Sequence, residues 1–212
     1  MISCFFVEHR RAEQVEFPFV RRTELIPLDT LYTEADTELF GRLREDRRFE
    51  RKSVGIHTQN LGDYLSMFAN SAPDGGMIAI GIEDDGPISG CLRADPKHLN
   101  ELERSGDIYC PDARYQSKRV TVRNASDEDD FVLLFRVQYR PDKVVETTRG
   151  DAFIKRGESK RKLNDDEKRE LRIAKHEVDL EQESCPLSYP EDFDLNLIHQ
   201  FANNFRRNAN VT

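Results

Sequence analysis

The stretch that decides the fold runs from Thr58 to Gly86: Thr58-Gln59-Asn60-Leu61-Gly62-Asp63-Tyr64-Leu65-Ser66-Met67-Phe68-Ala69-Asn70-Ser71-Ala72-Pro73-Asp74-Gly75-Gly76-Met77-Ile78-Ala79-Ile80-Gly81-Ile82-Glu83-Asp84-Asp85-Gly86. Leu61, Tyr64, Leu65, Phe68 and Ala69 fall at i, i+3, i+4, i+7 and i+8, the apolar stripe of a helix packed on one face. Thr58 is placed to cap it, Pro73 to end it, and Asp74-Gly75-Gly76 to turn the chain. Met77–Glu83 then reads as a strand buried on both faces. Asp85-Gly86-Pro87 makes a turn, and Ile88–Cys91 is expected to pair back as a hairpin.

Upstream, Arg48–Ser53 is a short candidate strand, and Thr33–Arg44 reads as a helix capped by Thr33. Phe5–Val7 and Val15–Val20 have β-like composition. Downstream, Asp95-Pro96 starts a helix that runs to about Glu103. Arg119–Arg123 and Phe131–Tyr139 are expected strands flanking the acidic loop Asp127–Asp130, followed by Lys143–Thr147 and Asp151–Lys155, with Arg156-Gly157 closing the sheet region. Asp165–Leu180 and Phe193–Phe205 read as helices. The expectation is an α+β (mixed α/β) fold with a mostly antiparallel mixed sheet of about five or six strands flanked by helices. Three segments are expected: an N-terminal extension (1–39), a main domain (40–180), and a C-terminal helical extension or start of a further domain (181–212).

The 212 residues carry 32 basic and 40 acidic side chains, for a net charge of −8; 37% are hydrophobic and 34% charged. That composition suits one compact core with sizeable polar segments and argues against two full cores. No apolar run approaches the roughly 18 residues of a membrane helix. No basic region precedes the apolar patch Met1–Val7 and no small-residue cleavage site follows it, which argues against a signal peptide. Cys4, Cys91, Cys110 and Cys185 lack the tight spacing of a zinc site, and four reduced thiols in a cytoplasmic protein are expected. No Gly-x4-Gly-Lys-Ser/Thr loop is present, which argues against an ATPase.

Three constellations carry chemistry. In Glu45-Asp46-Arg47-Arg48-Phe49-Glu50-Arg51-Lys52, strand alternation puts Glu50 and Lys52 on one face and Phe49 and Arg51 on the other. A bend entering that strand would bring Glu45 near Glu50. In Gly81-Ile82-Glu83-Asp84-Asp85-Gly86, carboxylates stand where a buried strand leaves the sheet. Carboxylates converging from separate segments are what Mg²⁺ or Mn²⁺ needs, so Glu45, Glu50, Glu83 and Asp84 are the metal-ligand candidates. Surface ion pairs and an ordinary acidic turn are the competing readings. The third feature is charge clustering: Arg42, Arg44, Arg47, Arg48, Arg51 and Lys52, and then Lys155, Arg156, Lys160, Arg161 and Lys162. Such clusters can neutralise phosphates, so Arg47, Arg48, Arg51, Lys155, Arg156, Lys160, Arg161 and Lys162 are nucleic-acid-binding candidates despite the acidic total. A solvated face with local ion pairs is the alternative.

Together these segments resemble the Schlafen-type, Alba-related domain, long labelled a DNA-binding domain and also a divergent AAA-type domain. The resemblance rests on Glu45, Glu50 and Lys52, then Met67-Phe68-Ala69-Asn70-Ser71, Gly75-Gly76, Met77–Ile82, Glu83-Asp84-Asp85-Gly86 and Gly90. It ends on Phe153-Ile154-Lys155-Arg156-Gly157-Glu158-Ser159, and so covers about residues 40–175. Two departures stand out: Arg51 occupies the position of a family Phe, and the turn before Gly75-Gly76 is extended. The resemblance implies that some members cleave transfer or ribosomal RNA with three acidic residues and a divalent metal. By position these are Glu45, Glu50 and either Glu83 or Asp84.

The reading that follows is a nucleic-acid-binding module, with DNA and RNA both open as ligand. Its sharper form is a metal-dependent endoribonuclease acting on structured RNA such as tRNA. In that form Glu45, Glu50 and Asp84 hold Mg²⁺ or Mn²⁺, and Lys52 stabilises developing charge. The alternative is a non-catalytic protein–protein interaction or oligomerisation module of a larger regulator. A homo-oligomer is left open and no membrane partner is expected.

Overall fold

Strand Gly76–Ile80 is buried at all five positions, and it lies inside the sheet because only there are both faces of such a run covered. The computed structural model describes residues 26–157, 159–178 and 188–209. In chain order the elements are α1 (Leu28–Thr33), α2 (Thr37–Arg42), β1 (Phe49–Lys52), α3 (Thr58–Ala69), β2 (Gly76–Ile80), α4 (Pro96–Glu103), α5 (Ser105–Tyr109), β3 (Arg114–Arg123), β4 (Asp129–Gln138), β5 (Phe153–Arg156), β6 (Ser159–Lys162), α6 (Asp165–Ala174) and α7 (Leu195–Ala209). A four-stranded sheet has the order β1-β2-β4-β3, with β1 parallel to β2 and the other pairs antiparallel. β5 and β6 form a separate antiparallel pair. The fold is mixed α+β, with six strands among the described residues.

Period-two alternation along β2 divides the core. Ile78 and Ile80 pack with Leu61, Leu65 and Phe68 of α3, while Met77 and Ala79 pack with Leu28, Leu31 and Phe40 of α1 and α2. β1 alternates likewise. Phe49 joins the α1/α2 side, which sends Glu50 and Lys52 towards α3 and Arg51 to the side of Phe49. Because β1 is an edge strand, side chains take over part of its pairing. Asp46 Oδ1 accepts from the Arg48 and Phe49 N–H groups, and Glu45 Oε1 accepts from Arg51 N at 2.9 Å.

Several boundaries differ from the sequence reading. Instead of one helix from Thr33 there are two short ones, and α2 is capped by Asp36, whose carboxylate accepts from Leu39 N. Thr33 ends α1, its hydroxyl donating back to the Asp29 carbonyl. β2 stops at Ile80 because Gly81 adopts φ +98°, and a Cβ there would lie 2.8 Å from Cys91 Sγ. The expected hairpin is reduced to a single bridge between Ile82 and Ile88. Lys143–Thr147 contributes only the bridge from Glu146 to Ala152, and Ser159–Lys162 is a strand rather than a post-strand tail. α6 is closed at its start by a capping box between Asn164 and Glu167, and it ends at Ala174. The β-like segments Phe5–Val7 and Val15–Val20 lie outside the described residues, as do Cys4, Leu180 and Cys185.

The Asn70 backbone N–H closes α3 on the Ser66 carbonyl at 3.0 Å, but its side chain does not bind the last carbonyls of the helix. It exchanges hydrogen bonds with the Val145 backbone, donates to the Phe153 carbonyl at 3.2 Å and accepts from Lys175 Nζ at 2.8 Å. Ser66 Oγ repeats the link, donating to Val145 O and accepting from Phe153 N. These two polar side chains fasten the second sheet to α3 and so position the basic segment of β5. Cys91 and Cys110 are buried and unpaired, and burial pushes their thiols up to about 11 and about 12. Among the described residues no helix is long and apolar enough to cross a membrane. α7 presents Leu197, Phe201 and Phe205 to solvent.

Candidate nucleic-acid interface

Three of the four acidic candidates meet at one ammonium. Lys52 Nζ lies 3.1 Å from Glu50 Oε1, 3.3 Å from Asp84 Oδ1 and 3.8 Å from Glu45 Oε1. The convergence follows from the parallel pairing. Lys52 ends β1 beside Ile80, the last residue of β2, and the chain then runs through Gly81 into Asp84. The bend Glu45–Arg48 folds Glu45 back along the same edge. Glu83 takes no part in this cluster. Burial works to lower the pKa of Lys52, but the charge and hydrogen bond of Glu50, with Asp84 adding, outweigh it and hold the ammonium above its ordinary value.

Glu50 is also the partner of Lys155. The Lys155 side chain is 1% exposed and that of Glu50 is 7% exposed; Nζ is paired with Glu50 Oε2 and also donates to the Phe49 carbonyl. Lys155 is therefore no surface phosphate ligand: it sits two residues after the core side chain Phe153, on the same inward face of β5. That spacing was the signal from which its burial could have been read. Both Glu50 oxygens are thus held by ammonium groups, and the carboxylates close on Lys52 rather than on a gap of cation size. As arranged, this donor set does not fit a divalent metal ion. Among the described residues no three His, Cys, Asp or Glu side chains are grouped to hold one.

β6 divides the second basic cluster. Lys160 turns to Asp63 on α3 at 3.1 Å and over the Tyr64 ring at 4.3 Å. Arg161 pairs with Glu167 at 2.5 Å and Lys162 with Asp151 at 2.7 Å. Asp63 and Arg149, paired at 2.7 Å, extend this network and carry no motif that marks them in the sequence.

The remaining basic candidates gather elsewhere. Arg47, Arg48 and Arg156 line one cleft of about 740 Å³, walled by Ser71–Gly75 on one side and Ile154–Gly157 on the other. Residues 108 and 109 positions apart in the chain meet here because the Asn70 and Ser66 bonds dock β5 on α3. Arg48 is held by the Ile26 carbonyl at 2.9 Å. Arg47 and Arg156 are exposed, and neither is held by a hydrogen bond or ion pair among the described residues. Arg51 stands apart, on the far face of β1, lining a depression with Arg44, Glu45 and Asp84–Pro87.

The family described as Schlafen, AlbA_2 matches residues 45–164, more than half of the chain and a span that contains every candidate residue named above. The chain belongs to this family. Within the Schlafen-type domain, the carboxylate corner, the basic cleft and the Arg51 depression all surround β1. A solved structure, the DIP2311 protein from Corynebacterium diphtheriae, is 21% identical with a TM-score of 0.44; the match covers 61% of this chain and 24% of that one. The present chain thus spans about a quarter of that protein's length. A search of curated proteins finds no match.

Proposed function

We propose that this Schlafen-type domain is a nucleic-acid-binding module whose principal phosphate contacts are made in the cleft of Arg47, Arg48 and Arg156. The observation that carries the reading is that arginines from two distant segments converge on one cleft, and two of them, Arg47 and Arg156, are exposed and unpaired among the described residues. Lysines and arginines already paired within the protein contribute little to a phosphate lattice; free guanidinium groups exchange water and counterions for phosphate oxygens. The −8 total then acts against long-range attraction, so binding is local and strongly salt-dependent. The test is filter binding or fluorescence anisotropy with single-stranded and hairpin RNA and DNA across a salt series. Wild-type affinity should fall steeply with salt, and the double variant Arg47→Glu/Arg156→Glu should lose most of it. Binding that ignores salt and both substitutions would overturn the reading and favour a protein-interaction module.

A second reading, cleavage of structured RNA such as tRNA with Mg²⁺ or Mn²⁺, is favoured by the convergence of Glu45, Glu50 and Asp84 on one point. It requires those carboxylates to give up Lys52. Its test is incubation of transfer RNA with the wild type and with Asp84→Asn, with and without Mn²⁺. Discrete fragments that need both Mn²⁺ and Asp84 would support cleavage; intact RNA in all arms would leave binding alone. Asp84 is the right position for this test because its side chain is 81% exposed, whereas replacing Glu50 would also uncover Lys155.

A further inference from the structure

Arg51 is 8% exposed, and its Nε is buried without a hydrogen-bond partner. Its backbone N–H is taken by Glu45, but its guanidinium makes no ion pair or hydrogen bond among the described residues. The buried Nε is thus a donor the protein leaves open, which is unfavourable unless something completes it. The surroundings leave room for that. Arg51 follows Phe49 on the core-facing side of β1 but lies at the rim, where the apolar cluster ends and a depression of about 600 Å³ opens. Two of its lining residues are glycines. Gly41 has nothing within 4 Å of a built Cβ, and a Cβ on Gly86 would stand 3.1 Å from Arg51 Nη1.

The carboxylates at the rim do not fill the role. Glu45 and Asp84 lean to Lys52 on the other face of the strand, and Asp85 makes no ion pair among the described residues. Arg44, exposed and unpaired among the described residues, adds a second cation at the mouth. We propose that Arg51, with Arg44 at the rim, forms a phosphate-binding subsite in this depression, separate from the Arg47–Arg156 cleft. It rests on the nucleic-acid reading for the source of the phosphate. The guanidinium offers a planar fork of donors that matches two phosphate oxygens, and a ligand oxygen would satisfy the donors the protein leaves open.

The experiment compares wild type, Arg51→Met and Arg51→Lys, each checked for folding by circular dichroism. The probes are a 5′-phosphorylated oligonucleotide, its 5′-hydroxyl counterpart and inorganic phosphate alone, the last read as a shift in melting temperature. Arg51→Met should bind about tenfold or more weakly, the scale of one lost charge-assisted contact. Loss confined to the 5′-phosphorylated probe identifies a terminal phosphate as the occupant; equal loss with both identifies the backbone. Equal affinity of Arg51→Met and wild type for both probes overturns the subsite while leaving the nucleic-acid reading intact. If wild type binds neither oligonucleotide but inorganic phosphate raises its melting temperature and not that of Arg51→Met, the subsite stands and the nucleic-acid reading falls. No oligonucleotide binding and no phosphate shift overturns both. Should Arg51→Met fail to fold, Arg44→Ala on the exposed rim carries the same comparison, with a smaller loss expected and an unchanged affinity overturning the proposal.

Discussion

The two faces of β1 treat charge in opposite ways. Towards α3, Glu50 is gripped by Lys52 and Lys155, and Lys52 by three carboxylates, so every charge is answered within the protein. On the other face, one residue away, Arg51 is buried too, but its Nε is answered by nothing among the described residues. The same division separates the paired lysine of β6, Lys160, from Arg47 and Arg156 of the cleft, unpaired among the described residues. Saturated charges hold the fold; unsaturated ones leave donors open. Sequence-level charge counting cannot draw this line, since all of these side chains lie in the same two basic clusters.

The largest expected effect comes from breaking the saturated face. Glu50→Gln leaves Lys155 buried without its counter-charge, and should destabilise the domain by about 3–5 kcal/mol in urea denaturation. Replacing the pair together, as Glu50→Leu/Lys155→Met, should recover most of that loss, because the cost lies in the uncompensated charge. A double variant as unstable as the single one would show that the pair is not what holds β5 to β1.

Breaking the unsaturated cleft should leave stability alone and change binding. Neutralising Arg47 and Arg156 singly to Gln should each lower the slope of log affinity against log salt by about one, with melting temperature unchanged. A drop in affinity without a change in slope would mean that these arginines do not meet phosphates.

Lys175 sharpens the comparison as a buried ammonium with no carboxylate paired to it among the described residues. Its Nζ donates to Asn70 Oδ1 and the Lys143 carbonyl, both at 2.8 Å, and lies 5.0 Å from the Tyr139 ring centroid. Burial pushes its pKa down from 10.5 to about 8, with Arg140 adding and Glu177 and Asp142 opposing. Between these values the unfolded chain binds the proton that the folded one has released, so stability should rise with pH from about 8 to about 10.5. The contribution is complete above the unfolded value and lost as pH falls through the folded one. Chemical denaturation of wild type and Lys175→Met over that range should diverge with this sign; parallel curves would place the ammonium in water.

The smallest effect is expected at Asp84→Asn. The carboxylate is mostly exposed and among the described residues pairs only with Lys52, so stability should change by less than about 0.5 kcal/mol. A larger loss would mean that the exposed Asp84 contributes to the saturated face as much as its buried neighbours do.

The apolar periodicities of α3 and β2 and the alternation of β1 were legible because each is a local pattern with one physical solution. The convergence of Glu45, Glu50 and Asp84 was legible as far as the bend and the strand end could carry it. Lys155 was read as a surface cation although Phe153, two residues earlier, already marked an inward face. The long-range role of Asn70 is not legible, since nothing near it in the chain announces the backbone of Val145 and Phe153.

By itself the sequence determined the α+β class, the buried central strand, the helix before it and the family, because these rest on periodicity and on motifs at short spacing. Only the tertiary structure decided which charges are spent and which are open. That outcome depends on β5 docking on α3 and on Gly81 ending β2, which set distances between residues far apart in the chain. Electrostatic partnership falls off over a few ångströms in space and takes no account of separation along the chain. A run of basic residues therefore fixes how much charge is present, and folding fixes which of it remains free.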